Sequence, residues 1–199
     1  MKTWLTADWH LGENRFELMG RPFTTQDEHI DTLVDNHNAL VSPNDTVIVV
    51  GDICYQKTPE FLPHVERFNG KKLLIRGNHD RVFTDEQLSP YFTAITAEGE
   101  GIPFQANDGI LCYITHYPTE GVGDAFNLVG HIHGAWKYQL NMFNIGVDVN
   151  HFRPVNADTI PFHFNAISKF YDRDVWVAYE SMNMPFRETR GKKNSYFRP

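Results

Sequence analysis

Short apolar runs that stop abruptly at polar residues, often beside glycine, set the rhythm of this chain. KTWLTAD (2–8) reads as a buried strand running into a polar end. TVIVVGD (46–52) is an unbroken run of β-branched residues, the pattern of a strand covered on both faces, and KLLIRGN (72–78) repeats it. Between the first two runs, Ile30, Leu33, Val34, His37 and Leu40 recur at helical spacing behind a capping box of Thr25 and Glu28. The spacing predicts a helix of about four turns, which SPND (42–45) ends. A shorter helix is predicted after Pro59, with Phe61, Leu62, Val65 and Phe68 inward. The order β-α-β-α-β with right-handed crossovers predicts a sheet with helices on both faces.

After a polar segment (84–92) the texture changes to strands with little helix between them: AITAEG, GILCYITH, NLVGHI and FNIGVDV. These predict a second sheet packed on the first. Pro154 to Phe170 holds a last helix or strand that its poor periodicity does not decide between, and the aromatic, charged stretch from Tyr171 onward reads as an appendage lying over the body. With no repeat or linker, the 199 residues are expected to form one domain with 171–199 as that appendage.

Composition narrows the setting. Hydrophobic residues at 41% and charged residues at 22% are globular values, and no stretch approaches the roughly 20 apolar residues of a membrane helix. MKTWLTADWH has no apolar export segment, so a cytoplasmic location is expected, with Cys54 and Cys112 as reduced thiols in the core. The net charge of −7 disfavours a broad footprint for duplex nucleic acid. Charge is uneven, however. Residues 187–199 carry five of the 18 basic residues and one of the 25 acids, which leaves −11 on the remainder. An acidic body can hold metal ions, and a basic tail can meet phosphates, although a solvated tail is the commoner case.

Every predicted strand ends in chemistry. The ends are Asp8-Trp9-His10, Gly51-Asp52, Gly77-Asn78-His79-Asp80, His116, and Gly130-His131-Ile132-His133. Carboxyl ends of parallel strands share one edge of a sheet, so these residues are expected to converge. Each fragment alone has a bland explanation: Asp/His pairs are common at strand ends, GNHD makes an Asx-capped loop, and GHIHG could be a pair of satisfied core histidines. Together they form a crowded set of carboxylates and imidazoles whose burial unpaired would be costly, and a cation resolves that conflict. Oxygen and imidazole donors without thiolate suit Mn²⁺, Fe²⁺ or Zn²⁺, with Ni²⁺ also possible, and there are enough of them for two ions sharing a carboxylate. Gly51, Gly77, Gly130 and Gly134 stand beside these residues, where a missing Cβ permits sharp turns and leaves space.

DWHLG, GD, RGNHD, THYP and GHIHG, in that order, resemble the D-x-H, G-D, G-N-H-[DE], H and G-H-x-H series of the calcineurin-like metallophosphoesterase superfamily. NIGVDVNHFRPV (144–155) is similar to the closing segment of its small bacterial and phage predicted phosphoesterases. The resemblance implies an α/β fold, a four-layer α/β/β/α sandwich of two mixed sheets with a dinuclear site. By it, Asp8, His10 and His133 hold one metal, Asn78, His116 and His131 hold the second, and Asp52 bridges them. His131 and His133 are expected to alternate in the pleat of one strand end and so face different ions. One departure stands out: small relatives often carry D-x-H-F-G-H at the start, and here the last position is Glu13, so any role of that histidine is lost or changed.

The implied activity is hydrolysis of a phosphoester, most of all a phosphodiester, by a hydroxide bridging two divalent ions, with Mn²⁺ the first expectation. His79 is expected to donate the proton to the leaving group, with Asp80 orienting it and raising its basicity. Arg76, Arg81, Arg21 and Arg15 lie near enough in sequence to contact a phosphate. Loops after residues 12, 54, 81 and 117 would shape the pocket. His29, His37, His64, His151 and His163 read as ordinary surface or core histidines. Two rival readings share the fold: a nuclease acting on DNA or RNA ends, since DWHLG is close to the opening motif of the repair exonucleases, and a non-catalytic scaffold like the retromer subunit. A phosphomonoesterase uses the same site.

Overall fold

A computed structural model describes residues 1–56, 58–139 and 141–170. The predicted tail from Tyr171 lies outside the described residues. Strands β1 (Thr3–Thr6), β2 (Thr46–Val50), β3 (Lys71–Ile75) and the two-residue β4 (Ala94–Ile95) run parallel in that order, and β10 (Val155–Asn156) closes the other edge antiparallel to β1. The second sheet has the order β5-β6-β7-β9-β8, from β5 (Ile102–Gln105), β6 (Leu111–Thr115), β7 (Phe126–Val129), β8 (Tyr138–Gln139) and β9 (Met142–Asn144). Its central strands β6, β7 and β9 are parallel, with the antiparallel β5 and β8 at its edges.

Both faces of β1 to β3 are covered, but by different partners. Trp4, Val47, Val49 and Leu74 share one core with Ile30, Leu33 and Val34 of helix α2 (Gln26–Asn38) and with Leu62 and Val65 of the 3-10 helix Pro59–Arg67. Leu5, Ile48, Val50 and Ile75 point the other way, into a core with Cys112, Ile114, Phe126, Leu128 and Phe143 of the second sheet. The expectation of helices on both faces of the first sheet is therefore corrected: the sequential order β1-β2-β3-β4 puts every right-handed crossover on one face, and the second sheet takes the other. The result is an α/β sandwich of two mixed sheets with flanking helices. Helix α4 (Ile160–Phe170) adds Ile160 and Ile167 to the inter-sheet core.

Local chemistry explains several boundaries. Thr25 caps α2 by accepting from the Glu28 amide at 3.1 Å, whereas the Glu28 carboxylate reaches Thr24, so the box closes one residue early. The helix after Pro59 is 3-10 and carries Pro63 inside it, where the ring removes a donor and clashes with an α-helical carbonyl. The short helices α1 (Phe16–Met19) and α3 (Asp85–Leu88) have too few residues to show a period; α3 carries a complete capping box of Thr84 and Gln87. AITAEG provides the edge β4 of the first sheet and none of the second, and β5, unrecognised because of Pro103, is an edge strand where proline is tolerated. Cys54 and Cys112 are buried free thiols, both pushed up by burial, Cys112 to about 11. No helix among the described residues is long and apolar enough to cross a membrane.

Candidate metal centre

The carboxyl ends of β1, β2 and β3 meet those of β6, β7 and β9 along one edge of the sandwich, and the polar strand ends meet there. Asp8, His10 and His133 present one donor atom each within 4.8 Å of one another, and so do Asp52, His116 and His131. Asp52 joins the two groups: its Oδ2 lies 3.4 Å from His10 Nε2 and 3.4 Å from His116 Nε2. Asn78 Oδ1 stands 3.2 Å from His116 Nε2, on the side of the second group. All seven sequence-expected metal residues are thus brought together.

The backbone bends to achieve this. Asp8, His10, Asp52, His131 and His133 all have left-handed φ, between 47° and 73°, a conformation that costs a non-glycine residue about 1 kcal/mol or more. β7 ends at Val129, so His131 and His133 lie in the turn beyond it; the left-handed backbone, not the strand pleat, sends them to opposite groups. Their rings pair accordingly, His133 with His10 at 4.9 Å and His131 with His116 at 5.1 Å between centroids. Gly51 (φ +81°) must be glycine, since a Cβ there would strike the His116 ring and Gly77. A Cβ on Gly134 meets nothing, so that glycine is not required for space as expected.

Electrostatics record a conflict. Burial pushes Asp8 up to about 6 and His10 down to about 4, each away from its charged form. Burial also opposes the charged forms of Asp52 and His116, yet the two hold each other ionised: Asp52 falls below the carboxylate range beside the His10 and His116 imidazoles, and His116 rises beside Asp52 and Asp8. Both ring nitrogens of His10 and Nδ1 of His131 are buried without a hydrogen-bond partner. Orphaned imidazole nitrogens facing carboxylates fit divalent cations, which supply the missing electrophile.

Several expected roles change. Asp80 is fully buried and accepts from the amides of Asp52 (2.8 Å), Ile53 (2.9 Å) and Gly77 (2.9 Å); its carboxylate clamps the two loops to each other and does not orient His79. His79 donates its amide to Asp52 Oδ1 at 2.9 Å, and its Nδ1 accepts from the Gln56 amide at 3.1 Å. Its ring faces His10 at 4.8 Å, beside Asp52. Burial lowers its pKa, with Asp52 opposing. Arg76 is spent on the carbonyls of Asp80 and Phe83 and on Asp85; of the four expected phosphate contacts, Arg81 and Arg15 are the exposed ones. Arg15 is held by Glu13 and lies over the Tyr55 ring at 4.4 Å. Glu13 itself is buried and pins the turn through the amides of Asn14 and Arg15. Of the extra histidines, His29 and His37 are core residues.

Arg21 is not available to a phosphate either, because every donor is engaged. Nε and Nη2 bind Asp148 (2.7 and 2.9 Å), Nη2 also binds the Asp8 carbonyl (2.7 Å), and Nη1 binds the Trp9 carbonyl (3.0 Å) and His29 Nε2 (2.9 Å). Asp148 completes a ladder by accepting from His133 Nδ1 at 2.9 Å, which leaves His133 Nε2 for a metal. Sequence reasoning missed Asp148, and also Asn144, whose side-chain amide holds the His133 and Trp136 carbonyls. The rule that strands end in chemistry, applied to FNIGVDV as to the others, points to both.

Known proteins agree with this fold. The profile of the calcineurin-like phosphoesterase family matches residues 1–161. An uncharacterized protein of Methanocaldococcus jannaschii is 26% identical over 172 residues, covering 80% of this chain and 89% of that protein. The gene 66 protein of Mycobacterium phage L5 is 35% identical over 81 residues, 39% of each chain. A protein of unknown function from Aquifex aeolicus has the same fold, with a TM-score of 0.64 at 20% identity over 81% of this chain and 98% of that one. With that profile spanning both sheets and every strand-end motif, the chain belongs to the calcineurin-like phosphoesterase family and is a metal-dependent phosphoesterase.

Proposed function

We propose that the protein is a phosphodiesterase working with two divalent ions, Mn²⁺ first among them. The observation that carries this reading is the placement of Asp52 Oδ2 at 3.4 Å from one imidazole of each donor group, as a shared ligand requires. Asp8, His10 and His133 would hold one ion, Asn78, His116 and His131 the other. Bound there, the pair would bring water towards ionisation near neutral pH and offset charge on the phosphoryl oxygens.

The chain's own residues supply the rest. Asp52 fixes the separation of the two groups, and Asp80 holds Asp52 and Gly77 in register. Because His79 Nδ1 accepts from a backbone amide, its proton sits on Nε2. As a water oxygen adds to phosphorus and the ester P–O bond breaks, the departing oxygen accepts a hydrogen bond from that N–H, and the proton it takes up comes from the attacking water by way of solvent. A diester carries one negative charge where a monoester carries nearly two. With Arg21 and Arg76 internally engaged, the centre has few free cations among the described residues for the second charge, and this favours the diester.

The test is hydrolysis of bis-p-nitrophenyl phosphate by chelator-stripped protein reloaded with Mn²⁺, with p-nitrophenyl phosphate run beside it and bound metal counted. Diester cleavage at two metals per chain is expected; cleavage of the monoester alone refutes the diester reading, and full activity at one metal refutes the dinuclear one.

A further inference from the structure

Beside the His133 end of the centre lies an open cleft of about 680 Å³. Glu17, Leu18, Met19, Gly20 and Pro22 line it from one segment, Ile132 to Ala135 from another, and Asp148 and Phe152 complete it. His133 lines the cleft and belongs to the first donor group, and its partner Asp148 lines the cleft as well, so the cleft adjoins the centre.

Its side chains are mostly apolar. Leu18 is 77% exposed, an unusual position for a leucine beside a polar centre. Leu18, Met19, Pro22, Ile132, Ala135 and Phe152 give apolar surface, and among the described residues no lysine or arginine lines the cleft. Of its two carboxylates, Asp148 is neutralised by Arg21 and His133, and Glu17 remains. The wall is firm: Arg21, next to Gly20, is buried and bonded to the Asp8 and Trp9 carbonyls, which ties the α1 segment to the first metal group. Further phosphates would meet Glu17, with no cation among the described lining residues to receive them.

We propose that this cleft binds an uncharged, apolar ester substituent of the substrate, making the preferred substrate a phosphodiester with an alkyl or aryl group and not a nucleic-acid strand. The proposal rests on the phosphodiesterase reading for its catalytic form, but the cleft also binds without turnover. The experiment uses the full chain loaded with Mn²⁺ and two series of growing alkyl length: alkyl p-nitrophenyl phosphates for kcat/KM, and alkyl methylphosphonates for calorimetric binding.

Each added methylene should improve both quantities about twofold, roughly half the gain of full burial, up to the length of the cleft. Leu18→Asp should flatten both dependences, while Leu111→Asp, at an exposed leucine on β6, should leave them intact. Thymidine 5′-p-nitrophenyl phosphate should be a poorer substrate than the butyl ester. A flat dependence in the unaltered protein overturns the proposal, as does a slope that survives Leu18→Asp. If sedimentation shows that Leu18→Asp disrupts an oligomer while the slopes stay, the cleft belongs to a second copy instead. Absence of diester turnover with the binding dependence intact would refute the phosphodiesterase reading and leave the cleft standing.

Discussion

Replacing Asp148 by asparagine tests whether one buried guanidinium supports two metal ligands at once. Arg21 side-chain atoms are wholly buried, and Asp148 is 5% exposed. The aspartate takes two hydrogen bonds from Arg21 and one from His133, and Arg21 in turn holds the carbonyl of the left-handed Asp8. Asparagine keeps the shape and one acceptor but removes the charge. Breaking one side of a buried ion pair costs about 3–5 kcal/mol, and the retained acceptor places this change near 3. For a chain of this size that is a fall in Tm of about 6–12 °C. Since His133 also loses the acceptor that fixes its tautomer, affinity for the first ion should drop about 10–100-fold.

The assay pairs thermal unfolding of stripped protein with Mn²⁺ titration against a competing chelator. One equivalent should weaken while the second, held by Asn78, His116 and His131, stays near its original affinity. Asp45→Asn is the control: Asp45 bonds the Lys2 and Ser42 amides and the Trp4 indole far from the ions, so it should lose stability and keep both equivalents. Equal weakening of both ions by Asp148→Asn, or a Tm within a degree or so of the parent, would refute the ladder. The pH dependence has a definite sign. Burial opposes Asp148 ionisation, but His133 and Arg21 overcome it and hold the pKa below the carboxylate range. Its contribution is therefore full above about pH 4 and disappears only as pH falls through the lower folded value.

His79→Ala should lower turnover by about 10²–10³-fold with metal content retained, whereas Asp80→Asn should deplete metal and lower Tm because at least one of three buried amides loses its acceptor; metal analysis of both variants decides it. His37, packed on Trp9 and Phe68 with a pKa lowered to about 4 by burial, stays neutral while the unfolded chain protonates near 6.5. Stability should therefore fall as pH drops from 6.5 towards 4, by about 3 kcal/mol in all for this group, and urea titrations of His37→Gln should show that one proton's worth of slope has gone. Gly51→Ala should prevent folding or lose both ions, since φ is +81° and the new methyl meets His116, while Gly134→Ala, in open space, should shift Tm by no more than a degree or two.

What was legible in the sequence is what a strand end must do. Asp8, Asp52, Asn78, His116, His131 and His133 each follow an apolar run, and parallel strands leave such residues no other place to go than one edge. Which groups would answer to those ligands was not legible, because that depends on contacts between elements distant in sequence. Asp80 sits next to His79 in the chain and looks like its partner, yet a 3-10 turn over Asp80–Val82 aims its carboxylate at amides 27 and 28 residues away. Arg21 looks like a free cation in a loop, and its acceptor lies 127 residues on. The same reasoning accounts for the departure at Glu13: a buried carboxylate saturated by its own turn removes a donor from the mouth and leaves the seven expected ligands intact. Variation in such supporting residues can thus reshape what enters the centre while the seven ligands stay, and here Glu13 acts on the His79 side, where it holds Arg15 over the Tyr55 ring, itself 5.6 Å from the His79 ring.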